Sequence, residues 1–192
     1  MAFYIGVDVG SLSTDVVVID ELANILGSAI TLTAANSTRA AQQALQEATG
    51  MAGMEVGQAA YVVSTGYGRS AVPFAHKAIT EISCHAMGAR HLFPDCRTVI
   101  DIGGQDSKVI RVGNDSKVLN FTMNDKCAAG TGRFLEVMAA KLEITLDELG
   151  KMSLSAKGEV AISSVCTVFA ESEIVSLVAR NHPKEEIVKG LH

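Results

Sequence analysis

One short pattern occurs twice in this 192-residue chain, and it restricts the possible folds more than any other feature. Each copy has a β-branched run that ends in Asp, one further residue, a glycine, polar residues and a second β-branched run, as in GVDVGSLSTDVVVID (6–20) and VIDIGGQDSKVIRVG (99–113). Two strands joined by a short glycine-containing turn are typical of a β-hairpin. The repeat therefore predicts an α/β chain with two related halves, each containing such a hairpin.

The two turns have the composition of phosphate-binding loops. Glycine lets backbone N–H groups approach a polyphosphate, because no side chain stands in the way. Asp8 and Asp101 end the first strands, and a carboxylate there can hold a hydrated magnesium ion. Such turns are also common without a ligand, but two copies favour phosphate binding, with the copies facing each other across a cleft. The chain contains neither a Walker-type GxxxxGK(S/T) motif nor a GxGxxG motif after a strand, which argues against P-loop and Rossmann folds.

Hydrophobic patterning predicts the remaining elements. Strands are predicted at 3–9, 14–19, 25–32, 59–64, 98–102, 108–112 and 117–121. Helices are predicted from an N-cap at Ser37 to a stop at Gly50, at 78–91, 131–142, 145–152 and 168–180, and from Lys184 onward. This order predicts one domain at residues 1–96 and a second at 97–192, with no linker between them.

Composition and charge exclude several classes of protein. A net charge of −5 and a mean hydropathy of +0.26 do not fit a disordered chain. No apolar run approaches the roughly 20 residues that a membrane helix needs. Asp8 interrupts the apolar start, which argues against a signal peptide. No basic patch suggests nucleic acid. We therefore expect a cytoplasmic globular protein that binds neither a membrane nor nucleic acid.

The four cysteines and a small helical cluster leave alternatives open. Isolated cysteines are usually buried hydrophobic residues, and a metal site within one chain normally shows close-spaced ligand pairs, which are absent here. Glu81, Cys84 and His85 share a predicted helix, where a metal site competes with an ordinary helix pair. Arg69 and Arg133 follow glycine-rich loops, and each can contact phosphate, a partner subunit or a carboxylate.

Further motifs make the pattern more specific. The paired loops resemble those of the actin, hexokinase and heat-shock-chaperone ATPase superfamily. Within it, the chain resembles the BadF/BadG/BcrA/BcrD-type ATPases, which include the activators (component A) of 2-hydroxyacyl-CoA dehydratases and the ATPase subunits of benzoyl-CoA reductases. The strings that carry this resemblance are VDVGSLSTD (7–15), STGYGR (64–69), TEISCHAMGAR (80–90), DIGGQDSK (101–108) and NDKCAAGTGRFLE (124–136). The resemblance implies a ribonuclease-H-like actin/hexokinase-type ATPase fold.

The resemblance implies a site for ATP or ADP with Mg²⁺. Asp8 and Asp101 would position magnesium through water and, with Gln105, the attacking water, so these three are the predicted catalytic residues. The residues implied to bind the phosphates are Gly10, Ser11, Leu12, Ser13, Thr14, Gly103, Gly104 and Gln105. Superfamily members also have an adenosine loop near the C-terminus, and nothing after Glu171 resembles it. We therefore expect the second half of the fold to be incomplete.

The resemblance also implies a homodimer with one 4Fe–4S cluster, to which each subunit contributes two cysteines. The matching positions are Cys127 and Cys166, each just before a predicted helix, and helix N-termini favour thiolates. Cys84 and Cys96 match no ligand position. The implied function is ATP-driven, low-potential electron transfer from a ferredoxin or flavodoxin into a 2-hydroxyacyl-CoA dehydratase or related acyl-CoA reductase. A small-molecule kinase and a non-catalytic nucleotide sensor are the alternatives.

Overall fold

The structure is a computed structural model that describes residues 2–124, 129–163 and 166–192. Its strands are β1 (Phe3–Val9), β2 (Ser13–Asp20), β3 (Ile25–Leu32), β4 (Tyr61–Thr65), β5 (Lys77–Ala78), β6 (Thr98–Ile102), β7 (Ser107–Val112) and β8 (Val118–Asn124). Its helices are α1 (Ser37–Ala52), α2 (Glu81–Leu92), α3 (Gly132–Leu142), α4 (Leu146–Ser155), α5 (Thr167–Ala179) and α6 (Lys184–Leu191). None of these described helices is long and apolar enough to cross a membrane.

The chain divides into two compact units. Unit 1 comprises Met1–Val99 with Ile110–Phe121, and unit 2 comprises Ile100–Val109 with Thr122–His192. The chain passes between the units within the three-stranded sheet, whose strand order is β6-β7-β8. The domain boundary between residues 96 and 97 stays a prediction.

The main sheet of unit 1 has the strand order β3-β2-β1-β4-β5. Strand β1 pairs antiparallel with β2 and parallel with β4, so Asp8 lies opposite Asp15 on one side and Thr65 on the other. Alternate residues of β1 are buried, as expected for a strand with one face on the core. That face packs against the small side chains of α1, including Ala41, Ala44 and Ala48.

Close packing of α1 on the sheet depends on one glycine. A Cβ at Gly27 would lie 2.3 Å from the backbone oxygen of Ala48, so any larger residue would push the helix away. The predicted ends of α1 are wrong by a few residues. Asn36, and not Ser37, caps the start by accepting the backbone N–H of Arg39. Gly50 continues the helix, which ends at Gly53 because that residue adopts the left-handed conformation.

The start of α2 also differs from the prediction. The predicted helix begins at Ala78, but Ala78 forms the short strand β5 with Lys77, and this strand pairs in parallel with Val63 and Ser64 of β4. The helix therefore begins at Glu81. Its inner face packs in a second small core of unit 1, which contains Ile82, Ala86, Val99, Ile110, Val112 and Val118.

Unit 2 buries the apolar faces of its helices against one another. The core members include Phe134, Met138, Leu142, Leu149, Ile174 and Ile187. Thr131 caps α3, since its hydroxyl accepts the N–H of Phe134 at 3.4 Å, and Thr145 and Glu148 form a reciprocal capping box at the start of α4. Lys184 at the start of α6 donates to the backbone oxygen of Leu142 at 2.6 Å. This bond joins α6 to the end of α3.

Candidate functional site

Both copies of the repeated pattern form hairpins that close in the same way. In the first turn, here called loop 1 (residues 10–13), the N–H of Gly10 donates to the backbone oxygen of Ser13 at 2.9 Å. In the second turn, here called loop 2 (residues 103–106), the N–H of Gly103 donates to the backbone oxygen of Asp106 at 2.8 Å. The repeat read from the sequence is thus also a repeat of backbone geometry.

Each loop needs its first glycine for steric reasons. A Cβ at Gly10 would lie 2.9 Å from the backbone oxygen of Ser13, and one at Gly103 would lie 2.8 Å from the Asp106 carboxylate. Both distances are too short for a side chain. Gln105 is exposed within loop 2, and Ser11 is half-buried in loop 1. Exposed turns with crowded glycines can offer backbone donors to an anion.

The hydroxyl groups at the end of loop 1 and the start of β2 differ in their surroundings. Thr14 is fully buried, and its hydroxyl bonds that of Thr33 at 2.9 Å. Ser13 Oγ donates to Asp15 Oδ2 at 2.9 Å. The Thr14 hydroxyl therefore faces the interior of unit 1, whereas Ser13 lies beside a carboxylate. Their predicted contacts with phosphate stay predictions.

A group of titratable side chains surrounds Asp8 at the end of β1. His85 Nε2 lies 3.6 Å from Asp8 Oδ2. Burial raises the pKa of Asp15, the charge of Asp8 raises it further, and the hydrogen bond from Ser13 opposes both. Burial likewise raises the pKa of the Cys84 thiol, and the nearby charges of Asp8 and Glu81 raise it further, whereas the Thr65 side chain opposes the shift. Asp8, Asp15, Cys84 and His85 help to line a cavity of about 400 Å³ on unit 1.

The loop after β4 packs against the end of β1, and it carries Arg69, which pairs with Glu81 of α2. Gly66 has φ +82°, and a Cβ there would lie 2.3 Å from Asp8 Oδ1. Arg69 donates to the backbone oxygen of Gly66 at 2.9 Å and lies 3.6 Å from the Glu81 carboxylate. Glu81 and His85 therefore contact groups outside their helix, and the salt-bridge interpretation of Arg69 is confirmed. Within the described ranges, no cluster of three or more His, Cys, Asp or Glu side chains could hold a metal ion.

A cluster of three charged side chains at the base of loop 2, which the sequence did not predict, joins the end of β6 to the start of β7. Lys108 Nζ lies 2.6 Å from Asp106 Oδ1 and 3.4 Å from Asp101 Oδ2. In the first copy of the repeat, Asp15 occupies the position of Lys108. This change from an acidic to a basic residue between the two copies is the sequence signal that could have identified the cluster.

Loop 2 is also hydrogen-bonded to the start of α3. The first N–H groups of that helix, from Gly132 and Arg133, donate to the backbone oxygens of Gly103 and Gly104 at 2.9 and 3.1 Å. Ser107 Oγ donates to the backbone oxygen of Gly130 at 2.9 Å. The Arg133 side chain pairs with Glu136 at 2.8 Å, as the salt-bridge interpretation predicted. These bonds join loop 2 to the first turn of α3.

The described cysteines differ in position. Cys166 is half-buried and free of disulfides, and it occupies the N-cap position of α5, where its backbone oxygen accepts the N–H groups of Phe169 and Ala170 at 3.1 Å each. Cys96 donates to the backbone oxygen of Thr98 at 3.4 Å. Cys127 lies outside the described residues. Its assignment as a cluster ligand stays a prediction, as does that of Cys166.

Comparison with known proteins identifies the family. The 2-hydroxyisocaproyl-CoA dehydratase activator of Clostridioides difficile is 45% identical over 99% of this chain and 71% of its own length. Component A of the Acidaminococcus fermentans (R)-2-hydroxyglutaryl-CoA dehydratase has a TM-score of 0.93 at 41% identity, over 100% of this chain and 74% of that one. The activator of the 2-hydroxyisocaproyl-CoA dehydratase from Clostridium difficile with bound ADPNP has a TM-score of 0.90 at 44% identity, over 99% of this chain and 70% of that one.

These structural neighbours confirm the actin/hexokinase-type α/β ATPase fold that the family resemblance implied. The family model of the BadF/BadG/BcrA/BcrD ATPases matches residues 5–192, which is almost the whole chain. This chain therefore belongs to the BadF/BadG/BcrA/BcrD ATPase family.

Proposed function

We propose that this chain is an ATP-hydrolysing activator that transfers a low-potential electron into a 2-hydroxyacyl-CoA dehydratase or a related acyl-CoA reductase. One observation carries the proposal: two glycine hairpins of matching geometry, each preceded by a strand-end aspartate, occur in a member of an ATPase family. The relatives named above are activators or components of such dehydratases. An ATP analogue is bound in one of them.

The first part of the proposal concerns the phosphates of ATP. Loops 1 and 2 supply backbone N–H groups to phosphate oxygens, with Ser11 as an additional donor. Asp8 and Asp101 orient magnesium through its waters, and Gln105 orients the attacking water. Transfer of a phosphoryl group to water needs little covalent chemistry from the protein, so positioning and charge stabilisation supply most of the catalysis.

The second part concerns Cys127 and Cys166 as ligands of a 4Fe–4S cluster. The described cysteine fits that role, since Cys166 is half-buried, is free of disulfides and precedes the first turn of α5. The partial positive charge of a helix N-terminus stabilises a thiolate. The cluster, when bound, supplies one-electron chemistry at low potential. Two cysteines from one chain complete four ligands only with a second copy.

The exposed side of α5 supports a homodimer. Val168, Phe169 and Val175 are 64, 59 and 54% exposed, and they lie on the helix that begins at Cys166. Exposed apolar side chains that lie together on a protein surface mark a site of interaction with another protein. We propose that a second copy covers this side of α5, with a ferredoxin or flavodoxin as the upstream electron donor.

Anaerobic purification tests the proposal. The protein should be brown, with about four irons and four sulfides per dimer. Cys127→Ala and Cys166→Ala should each lose the colour, whereas Cys96→Ala should keep it. A colourless wild-type protein, or a normal cluster in either of the first two variants, contradicts the electron-transfer function.

The ATPase part is tested separately with the same protein. ATP hydrolysis should require Mg²⁺ and proceed without any added phosphoryl acceptor. Hydrolysis that appears only after a sugar or an organic acid is added would instead identify a small-molecule kinase. ADPNP binding without any ATP turnover would identify a nucleotide sensor.

A further inference from the structure

Lys108 carries a charge in the interior of unit 2. The side chains of Lys108 and Asp106 are 4 and 5% exposed, and Lys108 Nζ lies 2.6 Å from Asp106 Oδ1. Lysine and aspartate are rarely buried unless they are paired. Even then, the attraction must offset the cost of removing both charges from water. Burial of the Lys108–Asp106 pair is therefore weak evidence that the pair stabilises the fold, and a role in function is the alternative.

The first copy of the repeat shows that the hairpin does not require a lysine. Asp15 holds the position of Lys108, and Ser13 holds that of Asp106. The first turn nevertheless closes with the same backbone bond as the second, at 2.9 against 2.8 Å. Its side chains are joined by a hydrogen bond from Ser13 to Asp15. The positive charge at position 108 is thus specific to loop 2.

The contacts of Lys108 lead to the groups that the proposed chemistry uses. Its ammonium group lies 3.4 Å from Asp101, the strand-end carboxylate. It also bonds Asp106 Oδ1, the atom that would be 2.8 Å from a Cβ at Gly103. Lys108 therefore holds one carboxylate at the end of β6 and a second one against the first glycine of loop 2.

We propose that Lys108 is a positioning residue for ATP hydrolysis, which fixes the Asp101 carboxylate and the backbone of loop 2 in one arrangement. The inference rests on the proposed function, because it assigns Asp101 and loop 2 to the hydrolytic site. Groups that are already oriented avoid reorganisation during the reaction. Loss of Lys108 therefore lowers the rate more than the affinity, since the backbone donors of both loops remain.

The test compares Lys108→Met with Lys117→Met. Lys117 is the matched control, since it also pairs with an aspartate, Asp115 at 2.8 Å, but its side chain is 82% exposed. We expect kcat for ATP hydrolysis to fall at least about 10-fold in Lys108→Met, with KM changed by less than about 3-fold. Lys117→Met should match the wild type in both. A Lys108→Met kcat within about 3-fold of wild type, or an equal loss in the control, overturns the inference.

A double variant keeps the test valid if Lys108→Met does not fold. Lys108→Met combined with Asp106→Leu replaces both members of the pair with apolar residues, a change that buried ion pairs often tolerate. The double variant should fold and keep the low kcat. Wild-type kcat in the folded double variant overturns the inference, because the lysine then only balances a charge. Absence of ATP hydrolysis in the wild-type protein overturns the proposed ATPase and this inference together.

Discussion

At the scale of single residues, Gly66 lies so close to Asp8 that no side chain fits between them. Its φ of +82° suits glycine, and a Cβ would lie 2.3 Å from Asp8 Oδ1 and 2.5 Å from the backbone oxygen of Val9. Gly66→Ala should lower the free energy of unfolding by about 1–3 kcal/mol, because the backbone is strained and Asp8 must move. It should also weaken binding of MgATP. Urea unfolding and nucleotide titration measure the two effects.

Gly50→Ala is the matched control for this substitution. Gly50 lies inside α1, and a Cβ there would meet nothing within 4 Å. Alanine in a helix interior is more stable than glycine by about 0.5–1 kcal/mol. The control should therefore be more stable than the wild type and bind nucleotide unchanged. If the two alanine variants were equally stable, the crowding at Gly66 would be contradicted.

Asp15 gives a prediction about pH at the same scale. Burial, helped by the charge of Asp8, raises its pKa above the usual 3.8, although Ser13 opposes the shift. The folded state therefore retains the proton longer than the unfolded state. As pH rises from about 4 toward the folded-state pKa, the free energy of unfolding falls. The Asp15→Asn variant does not lose stability in this way, so its free energy of unfolding relative to the wild type should rise as pH increases from about 4 through the folded-state pKa of Asp15.

Asp20 serves as the control because its shift has the opposite sign. Hydrogen bonds from Asn24, and one from the N–H of Leu22, lower the pKa of the exposed Asp20 carboxyl. Its contribution is present at neutral pH and is lost as pH falls through the folded-state pKa. Asp20→Asn should therefore lose stability relative to the wild type at neutral pH. Parallel pH profiles of the two asparagine variants in thermal melts would argue against the assignment for Asp15.

At the scale of elements, the predicted start of α2 is wrong because strand pairing between distant residues overrides the local helical pattern. Strands β1, β3 and β6 have their predicted bounds, because alternation over a half-buried face is a local signal. The helix expected from residue 78 begins instead at Glu81, because Lys77 and Ala78 pair with β4 as a short parallel strand. No local pattern predicts such pairing, since β4 and β5 are separated by the 66–76 segment.

The link between loop 2 and α3 gives the element-scale prediction. The N–H groups of Gly132 and Arg133 donate to carbonyls of loop 2. Exchange of these two amides requires the bonds to open. Bound MgADPNP should hold loop 2 more tightly and slow hydrogen exchange in residues 130–134. Mass spectrometry of deuterated peptides measures this, with the first turn of α4 as the control segment.

Two outcomes would contradict the link. Equal slowing at the start of α4 would indicate a general stabilisation of unit 2. Nucleotide binding without slowing at residues 130–134 would show that loop 2 does not act on α3. The Ser107→Ala variant removes the bond to Gly130, so the slowing at the α3 start should be smaller in this variant than in the wild type.

At the scale of the whole molecule, the repeat was the most informative part of the sequence. It predicted two hairpins, and both loops close as expected, through Gly10 and Gly103. The repeat marks position 108 by its change from an acidic to a basic residue, but it predicts neither the contacts of the Lys108 cluster nor the bonds from loop 2 to α3. The first depends on burial of a charged side chain, and the second on contacts between residues far apart in the chain. Neither leaves a periodic pattern.

The exposed side of α5 gives the prediction for the assembly. Val175 is 54% exposed there, and the proposed homodimer would bury it. Val175→Lys should weaken dimerisation at least about 10-fold, because a buried unpaired charge is costly at an interface. The cluster should be lost in parallel, since each copy is proposed to contribute half of its ligands. Anaerobic light scattering measures the mass, and iron analysis measures the cluster.

Leu154→Lys is the matched control for this assembly test. Leu154 is 91% exposed on α4, and the proposed interface does not involve that helix. This variant should remain a dimer with a full complement of iron. A Val175→Lys protein that stays dimeric with its cluster would exclude α5 as the interface. A Val175→Lys monomer that kept a full cluster would show that one chain supplies all the ligands, because a site divided between two copies cannot survive their separation.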